Sequence, residues 1–466
     1  MIDVSVFAQT LGGRPVAVFG LGISNIAAVA ALHKAGVATA SWDDKPENRA
    51  AAEKAGAILR DLMAEDMTAY AALVLAPGVP LHFPEPHPVV KKARDAGIEI
   101  ICDIEILARS KPGRPIVAIT GTNGKSTTTA LTGHILNKAG KGASIGGNIG
   151  TAALALDMPA PGGVFVLEIS SYQMDLCPTF APDIAVHMNF SPDHIDRHGD
   201  MKGYIAAKRN MFRGAGKGVI GIDDEWSLKM AEDIAKTGDR HINHIAVTRK
   251  VERGAYVEGG KLFDAIDGGA VMEIADLSIP TLPGSHNHQN AAAAYAACRL
   301  LGLEPAVIVE AMKSFPGLPH RQFLIRVING VPYINDSKAT NADATARALA
   351  CYKAIYWIVG GKAKDGGLNG LEQYMDRIRE AFLIGDAAEE FAAWLKKHNV
   401  PYRMCGTMDR AVRDAHEAAQ AARGEPGGVG AVLLSPACAS FDQFKNFEQR
   451  GDMFAQYVND LPEGEK

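Results

Sequence analysis

The residues Thr120-Gly121-Thr122-Asn123-Gly124-Lys125-Ser126-Thr127 put two glycines, a lysine and several hydroxyls between an apolar run, Ile116 to Ile119, and a helix-like segment reaching Leu136. Strand, glycine loop and helix are the context in which backbone N–H groups and a helix N-terminus face phosphate oxygens. In that setting Lys125 would neutralise the β- and γ-phosphates, and the Ser126 hydroxyl would reach Mg²⁺. The generic pattern GxxxxGK[ST] places a further glycine where this chain has Ile119, so the loop is a compact GxxGKST. An ordinary strand–helix turn with a surface lysine is the competing reading, and the surrounding pattern disfavours it.

Other residues of useful chemistry lie further along. Glu168 ends an apolar run from Val164 and is an oxygen ligand of the kind Mg²⁺ prefers. On its own, a strand-end glutamate is more often solvated or salt-bridged. Asp193, His194, Asp196 and His198 form a polar cluster without firm zinc-site spacing. Tyr204 and Lys208 are four apart on a predicted helix and share a face. A lysine held neutral by burial or nearby cations can capture CO₂, whereas an ordinary surface lysine cannot. Asn287 and Asn290 fall three apart near the start of an alanine-rich helix, where asparagine is a poor interior residue. They suit nucleotide contacts, and Asn287 alone suits capping equally well.

Near the beginning, Val16-Ala17-Val18-Phe19-Gly20-Leu21-Gly22-Ile23-Ser24-Asn25, with Asp43 closing a second strand, is close to a dinucleotide fingerprint. Asn25 stands in place of its third glycine. By itself this feature suits an NAD-dependent dehydrogenase, but the same turn serves any diphosphate.

To position these residues the chain needs several domains. It has 466 residues, and 47% are hydrophobic and 22% charged, values of a globular protein with two to four cores. Apolar runs alternate with helical segments, which predicts α/β architecture with largely parallel sheets. Three blocks are expected, 1–110, 111–316 and 317–466, the second opening on the phosphate loop. They correspond to a Rossmann-like N-terminal domain, a central P-loop ATPase-type domain and a Rossmann-like C-terminal domain. Strands are predicted at Val164–Ile169, Ile184–Met188, Gly218–Ile222, Pro332–Ile334, Ile355–Val359, Ala381–Ile384 and Val432–Leu434. A small hairpin-rich insertion is predicted from Arg249 to Ile279, a helix capped by Ser285 after it, and a frayed tail from Pro462 to Lys466.

The net charge of −5 argues against nucleic acid as the main partner. No secretory signal or spanning apolar stretch is evident. The six cysteines are scattered without a CxxC pair, as in a reduced compartment. A cytoplasmic location, no stable membrane association and a monomeric state are the expectations.

The loop GTNGKST resembles that of the Mur ligases and the related folylpolyglutamate synthetases. The resemblance continues in family order over nearly the whole chain. It includes Gly147-Asn148-Ile149-Gly150, Leu167 to Gln173 (LEISSYQ), Asp193 to His198 (DHIDRH), Ala206-Ala207-Lys208, Gly284 to Asn290 (GSHNHQN) and Pro319-His320-Arg321. Later come Asn335 to Asn341 (NDSKATN), Gly360 to Asp365 (GGKAKD) and Leu434 to Gly451 (LSPACASFDQFKNFEQRG). The last run and the Asp336–Asn341 segment resemble the branch of the family that adds D-glutamate. An N-terminal block of UDP-binding type disfavours a folylpolyglutamate synthetase.

The resemblance implies that ATP phosphorylates the carboxylate of UDP-N-acetylmuramoyl-L-alanine, and that the D-glutamate amine then displaces phosphate to form an amide. It also implies roles. Gly121, Thr122, Asn123, Gly124, Lys125, Ser126, Thr127, Asn287, Asn290, Arg321 and Asp336 would bind nucleotide. Ser126, Glu168, His194 and a carbamylated Lys208 would serve two Mg²⁺ sites, and Lys125, Glu168, His194 and Lys208 would be catalytic. Gly22, Ile23 and Ser24 would lie near the pyrophosphate, Asp43 and Asp44 near the uracil, and Gly78 beside the ligand. Asn148, Ser171, His194 and Tyr204 match further substrate positions. Lys338, Thr340, Lys364, Ser440, Phe441 and Phe447 match the amino-acid side. Lys362 stands where some relatives have an acid.

Overall fold

The computed structural model describes residues 2–462 except Asp239, Asp267, Gly269, Asp365 and 424–429. The tail beyond Pro462 and the Asp365 position of the GGKAKD motif lie outside the described residues. The chain divides into two compact units, one of residues 1–277 and 287–315, the other of residues 278–286 and 316–466.

The first unit holds two sheets. The N-terminal one is four-stranded and entirely parallel, with β1 (Val16–Phe19), β2 (Thr39–Trp42), β3 (Ala72–Leu75) and β4 (Glu99–Ile101) in the order β2-β1-β3-β4. All of β1 and β3 is buried, as continuous apolar runs in parallel sheets require. The turns after β1, β2 and β3 therefore gather at one edge.

The second sheet has nine strands: β5 (Ile116–Thr120), β6 (Ala143–Gly147), β7 (Val164–Glu168), β8 (Ile184–His187), β9 (Gly216–Gly221), β10 (Arg240–Ala246), β11 (Gly254–Glu258), β12 (Lys261–Asp264) and β13 (Met272–Asp276). Their order is β13-β12-β11-β10-β9-β8-β5-β7-β6. β5 lies between β7 and β8 and is parallel to both. The chain crosses from β5 to β6 on one side and reaches β8 on the other, so the loops after β5, β7 and β8 meet at their carboxyl ends, where open α/β sheets bind ligands.

The hairpin region predicted as a small insertion extends this sheet instead. β10 pairs with β11 in parallel, and β11 to β13 continue antiparallel. β6 and β10 were not predicted. β6 reads Ala-Ser-Ile-Gly-Gly, too poor in large apolar residues to stand out, and in β10 polar residues interrupt the apolar ones.

Within this unit the two sheets are joined by polar contacts as well as packing. The buried Glu105 carboxylate accepts from the N–H groups of Thr179 and Phe180 and from the Thr179 hydroxyl. Cys102 N–H donates to Leu176 O. All six cysteines are free thiols.

The second unit contains a six-stranded sheet of β14 (Phe323–Ile328), β15 (Val331–Asn335), β16 (Ile355–Gly360), β17 (Ile378–Ile384), β18 (Tyr402–Gly406) and β19 (Ala431–Leu434). The order is β14-β15-β19-β16-β17-β18, parallel except for β14. β14 and β18 are edge strands with exposed residues, which hid them from a search for apolar runs. β15, β19 and β16 are neighbours, so the segments starting at Asp336, Ser435 and Gly361 are adjacent.

Candidate active site

The phosphate loop leaves β5 at Thr120. Gly121 has φ +147°, and a Cβ there would lie 2.7 Å from Met188 Cβ. Gly124 has φ +84°, and a Cβ there would come within 2.2 Å of Asn290 Oδ1. Both glycines are thus required by close approach, the second by the same asparagine that the sequence singles out. Asn290 Nδ2 in turn donates to Asn287 Oδ1 at 2.9 Å, and Thr128 Oγ1 donates to Asn290 Oδ1 at 3.3 Å. Ser285, predicted as the cap of this helix, is its first residue in the span Ser285–Leu300.

Lys125, Ser126 and Thr127 form the first turn of the helix Lys125–Lys138. Lys125 Nζ donates to Gly121 O at 2.9 Å and Thr122 O at 2.8 Å, which keeps the ammonium over the loop.

Next to the loop, Thr120 Oγ1 accepts from Lys208 Nζ at 3.1 Å. Lys208 is 1% exposed. Burial, reinforced by Lys125, pushes its pKa well below the usual lysine value. Tyr204, one turn earlier in the helix Met201–Arg209, meets Thr122 Oγ1 with its hydroxyl at 3.0 Å, and Lys208 Nζ lies 4.9 Å from its ring centre. The shared face expected of this pair is present.

Glu168 ends β7 and is buried. Asn148 Nδ2 donates to its Oε1 at 2.9 Å, and its Oε2 is buried without a hydrogen-bond partner. An unsatisfied carboxylate oxygen next to a phosphate loop fits a hard divalent cation, whereas without one it is costly. Ser171 Oγ lies 3.0 Å from His198 Nε2, and burial, with His194 and Lys208 nearby, holds His198 down to about 4.

His194 has left-handed backbone, φ 54°, at the cap of the short helix Ile195–His198. Its Nδ1 is 2.8 Å from Tyr172 OH, and burial lowers its pKa. No three His, Cys, Asp or Glu side chains among the described residues converge as a metal cluster, so the zinc alternative for 193–198 finds no support there. Three residues on, Arg197 donates to the carbonyls of Pro77, Gly78 and Val79. Gly78 is thereby brought against the His194 segment.

In the N-terminal sheet, Gly22 caps the helix Ile23–Lys34, and Ile23 is 77% exposed at its start, with Ser24 beside it. Asn25, in the place of a glycine, is buried and donates to Phe19 O at 3.0 Å. Its amide ties the turn from within. Asp43 is turned inward: its carboxylate accepts from Leu21 N–H at 2.6 Å, Lys45 N–H at 2.8 Å and Asn48 Nδ2 at 3.1 Å. Asp44 is exposed and contacts His87 Nε2 at 3.0 Å. The structure therefore gives the two acids different situations, with Asp43 shaping the glycine turn and Asp44 on the surface.

The second unit assembles the remaining residues. Asp336, just after β15, accepts from Ser435 Oγ at 2.8 Å and Gln322 N–H at 3.2 Å, and burial raises its pKa to about 7. Lys338 Nζ sits 3.7 Å from the centre of the Phe447 ring. Thr340 N–H donates to Lys338 O at 2.9 Å. Ser440 is buried, Phe441 is 71% exposed and Lys364 is exposed. Arg321 follows His320, whose backbone is left-handed with φ 63°. Lys362 exchanges backbone hydrogen bonds with Ala439 and exposes its side chain.

Two residues escaped the sequence reading. Arg450 is buried and donates to Ser337 Oγ, Ser337 O and Cys438 O. Asn189 bonds to the phosphate loop. Arg450 lies within the Leu434–Gly451 run, but nothing there shows its role, and Asn189 belongs to none of the quoted motifs; each matters through what it holds.

A compact phosphate loop with a buried carboxylate and a buried lysine at the edge of a parallel sheet defines a phosphoryl-transferring enzyme of α/β type. Residues 119–298 match the Mur ligase middle domain. The chain belongs to the Mur ligase family. It is 48% identical over 461 residues to the UDP-N-acetylmuramoylalanine--D-glutamate ligase of Caulobacter vibrioides, covering 97% of each chain. The enzyme of the same name from Rhizobium meliloti is 47% identical over 462 residues, covering 98% of each. Among solved structures, a UDP-N-acetylmuramate-alanine ligase from Thermotoga maritima shares the fold with a TM-score of 0.59 at 16% identity, covering 96% of this chain and 99% of that one. A pseudomurein peptide ligase type C from Methanothermus fervidus does so with a TM-score of 0.54 at 16% identity, covering 96% and 100%. Among the described residues no helix is long and apolar enough to cross a membrane.

Proposed function

We propose that this chain is an ATP-dependent amide ligase that joins D-glutamate to UDP-N-acetylmuramoyl-L-alanine in peptidoglycan precursor synthesis. The near-full-length identity to ligases of that name carries the reading, and the site chemistry agrees with it. A carboxylate resists amine attack because oxide is a poor leaving group; transfer of the γ-phosphoryl group makes an acyl phosphate, from which phosphate leaves. Lys125 and the helix N-terminus offset charge on the transferred group. Ser126, Glu168, His194 and Lys208, the last as a carbamate, are the residues that would hold Mg²⁺ in two sites, and the metal would neutralise phosphate charge. The partnerless Glu168 oxygen and the buried Lys208, whose pKa burial lowers, support that assignment. Asn287, Asn290, Arg321 and Asp336 take the nucleotide. The turns at Gly22–Ser24 and Gly78, with Asp43 and Asp44, take the UDP part, and Asn148, Ser171 and Tyr204 line the way to the reacting carboxylate. Lys338, Thr340, Lys364, Ser440, Phe441 and Phe447 hold the incoming amino acid, whose two carboxylates call for cations and hydroxyls.

The domain division 1–110, 111–316 and 317–466 follows from this assignment of ligands. Phosphate release with ATP, the UDP substrate and each of D-glutamate, L-glutamate, L-lysine and meso-diaminopimelate tests the reading. Release should require D-glutamate; preference for another amino acid would overturn the specificity.

A further inference from the structure

The segment after β8 is bonded to the phosphate loop at Thr122 and Asn123. Thr122 N–H donates to Asn189 O at 2.9 Å, and Asn123 N–H donates to Asn189 Oδ1 at 3.0 Å. Asn189 Nδ2 returns a bond to Asn123 O at 3.3 Å. Ser191 N–H donates to Thr122 Oγ1 at 3.1 Å, and Asn123 Nδ2 donates to Ser191 Oγ at 3.3 Å. The side chain of Asn189 thus grips one peptide residue from both of its backbone groups.

The grip is anchored from outside. Asn189 Nδ2 also donates to Gln289 Oε1 at 2.8 Å, and Gln289 Nε2 donates to Asp223 Oδ2 at 3.0 Å. Asp223 in turn accepts from the N–H groups of Val247 and Thr248. The neighbouring Phe190 N–H donates to Asp224 Oδ2 at 3.0 Å. This chain of donors and acceptors fixes the amide orientation of Asn189, because a flipped amide would set like groups against Asn123 and Gln289.

Two consequences follow. The N–H groups of Thr122 and Asn123 point to Asn189, so the middle of the loop is a braced arch and not an open anion cradle. Gln289 lies on the helix that carries Asn287 and Asn290, so one side chain ties the phosphate loop to that helix.

We propose that Asn189 is a positioning residue for ATP, holding Thr122 and Asn123 in the shape that presents Lys125 to the phosphates and registering that loop, through Gln289, against the helix of Asn287 and Asn290. The inference rests on the ATP-dependent ligation proposed above.

The test uses the full-length enzyme with separate KM measurements for ATP, the UDP substrate and the amino acid, together with calorimetric titration of a non-hydrolysable ATP analogue and thermal melts. For Asn189→Ala, loss of the clasp should raise the ATP KM and the analogue Kd about tenfold, with the other two KM values within about twofold of wild type. Gln289→Ala removes only the outer anchor and should give a smaller rise with the same selectivity, which keeps the proposal testable if the first variant does not fold. Unchanged analogue affinity in a folded variant would overturn it, as would an equal rise in all three KM values with a lowered melting temperature. Because the analogue titration needs no turnover, failure of wild-type ligation would refute the functional reading separately from the clasp.

Discussion

Asn148 holds Glu168 by two bonds: its N–H donates to the glutamate's backbone carbonyl at 2.8 Å, and its Nδ2 donates to Oε1 at 2.9 Å. The carboxylate is thereby fixed in orientation with Oε2 left over. If that oxygen binds Mg²⁺, Asn148 sets ligand geometry without touching the metal. Asn148→Ala should raise the Mg²⁺ concentration needed for half-maximal phosphate release about 10- to 100-fold, the usual effect of losing such a support. Glu168→Gln should lower kcat about 100-fold or more. An unaltered Mg²⁺ requirement in Asn148→Ala would remove Glu168 from the metal site.

Lys208 offers a chemical test. Carbamate formation needs the neutral amine, and burial beside Lys125 favours that form. Enzyme incubated with ¹³C-bicarbonate should show a carbamate carbon that is absent in Lys208→Arg, and the signal should weaken as pH falls and the amine protonates. Lys208→Arg, which is fixed as a cation and forms no carbamate, should be almost inactive. Full activity in that variant would show that the lysine acts as a plain cation or only as packing.

Arg450 predicts a split in kinetics. Its guanidinium joins Ser337 to Cys438, and so braces the two segments that carry Lys338 and Ser440. Burial lowers its pKa only to about 10, so it stays charged at neutral pH. Arg450→Lys keeps the charge but loses the planar fork. It should raise the D-glutamate KM about tenfold, as expected from one or two lost charged hydrogen bonds, and leave the UDP-substrate KM unchanged. Equal effects on both would make Arg450 a general stabiliser of the unit.

Asp103 bears on stability. It is 1% exposed, and neither carboxylate oxygen meets hydrogen-bond geometry with a partner, although Ile104 N–H and the Gln173 side chain lie near enough to lessen the shift. Burial raises its pKa from 3.8 to about 6. The folded state then binds more protons than the unfolded state between these values, so stability falls as pH rises through that window and levels off above it. The rise corresponds to about 3 kcal/mol by linkage. Asp103→Asn should therefore melt higher than wild type at pH 7.5 and approach it near pH 4, read by denaturant or thermal unfolding at both values. A variant less stable than wild type at pH 7.5 would mean the carboxylate is ionised and paired in the native state.

The phosphate loop, β7 with Glu168 and the Tyr204–Lys208 face were legible because each joins a short-range pattern to a chemical requirement. The buried strands β1, β5, β16 and β19 were legible for a simpler reason, being uninterrupted apolar runs. β6, β10, β14 and β18 were not, since small, polar or exposed residues blur their period. Asp43 was placed near the uracil through the family resemblance; spacing could not foresee that its carboxylate also accepts from Leu21 N–H, Lys45 N–H and Asn48 Nδ2. The roles of Asn189, Gln289 and Arg450, the last two within quoted motifs, could not be found from spacing, because their partners are far away in sequence and the bonds are to backbone or to single polar atoms.

The contact of Arg197 with the 77–79 turn has a consequence for how such an enzyme can change. The guanidinium lies over the Tyr172 ring and meets that turn through the carbonyls of Pro77, Gly78 and Val79, leaving the turn's side chains unread. If the turn takes the sugar nucleotide as proposed, a lineage, or a protein engineer, can re-tailor it for a different one while the docking point beside His194 stays intact. Ligand choice at one end of the unit and catalytic registration at the other are mechanically joined but free to vary separately in sequence.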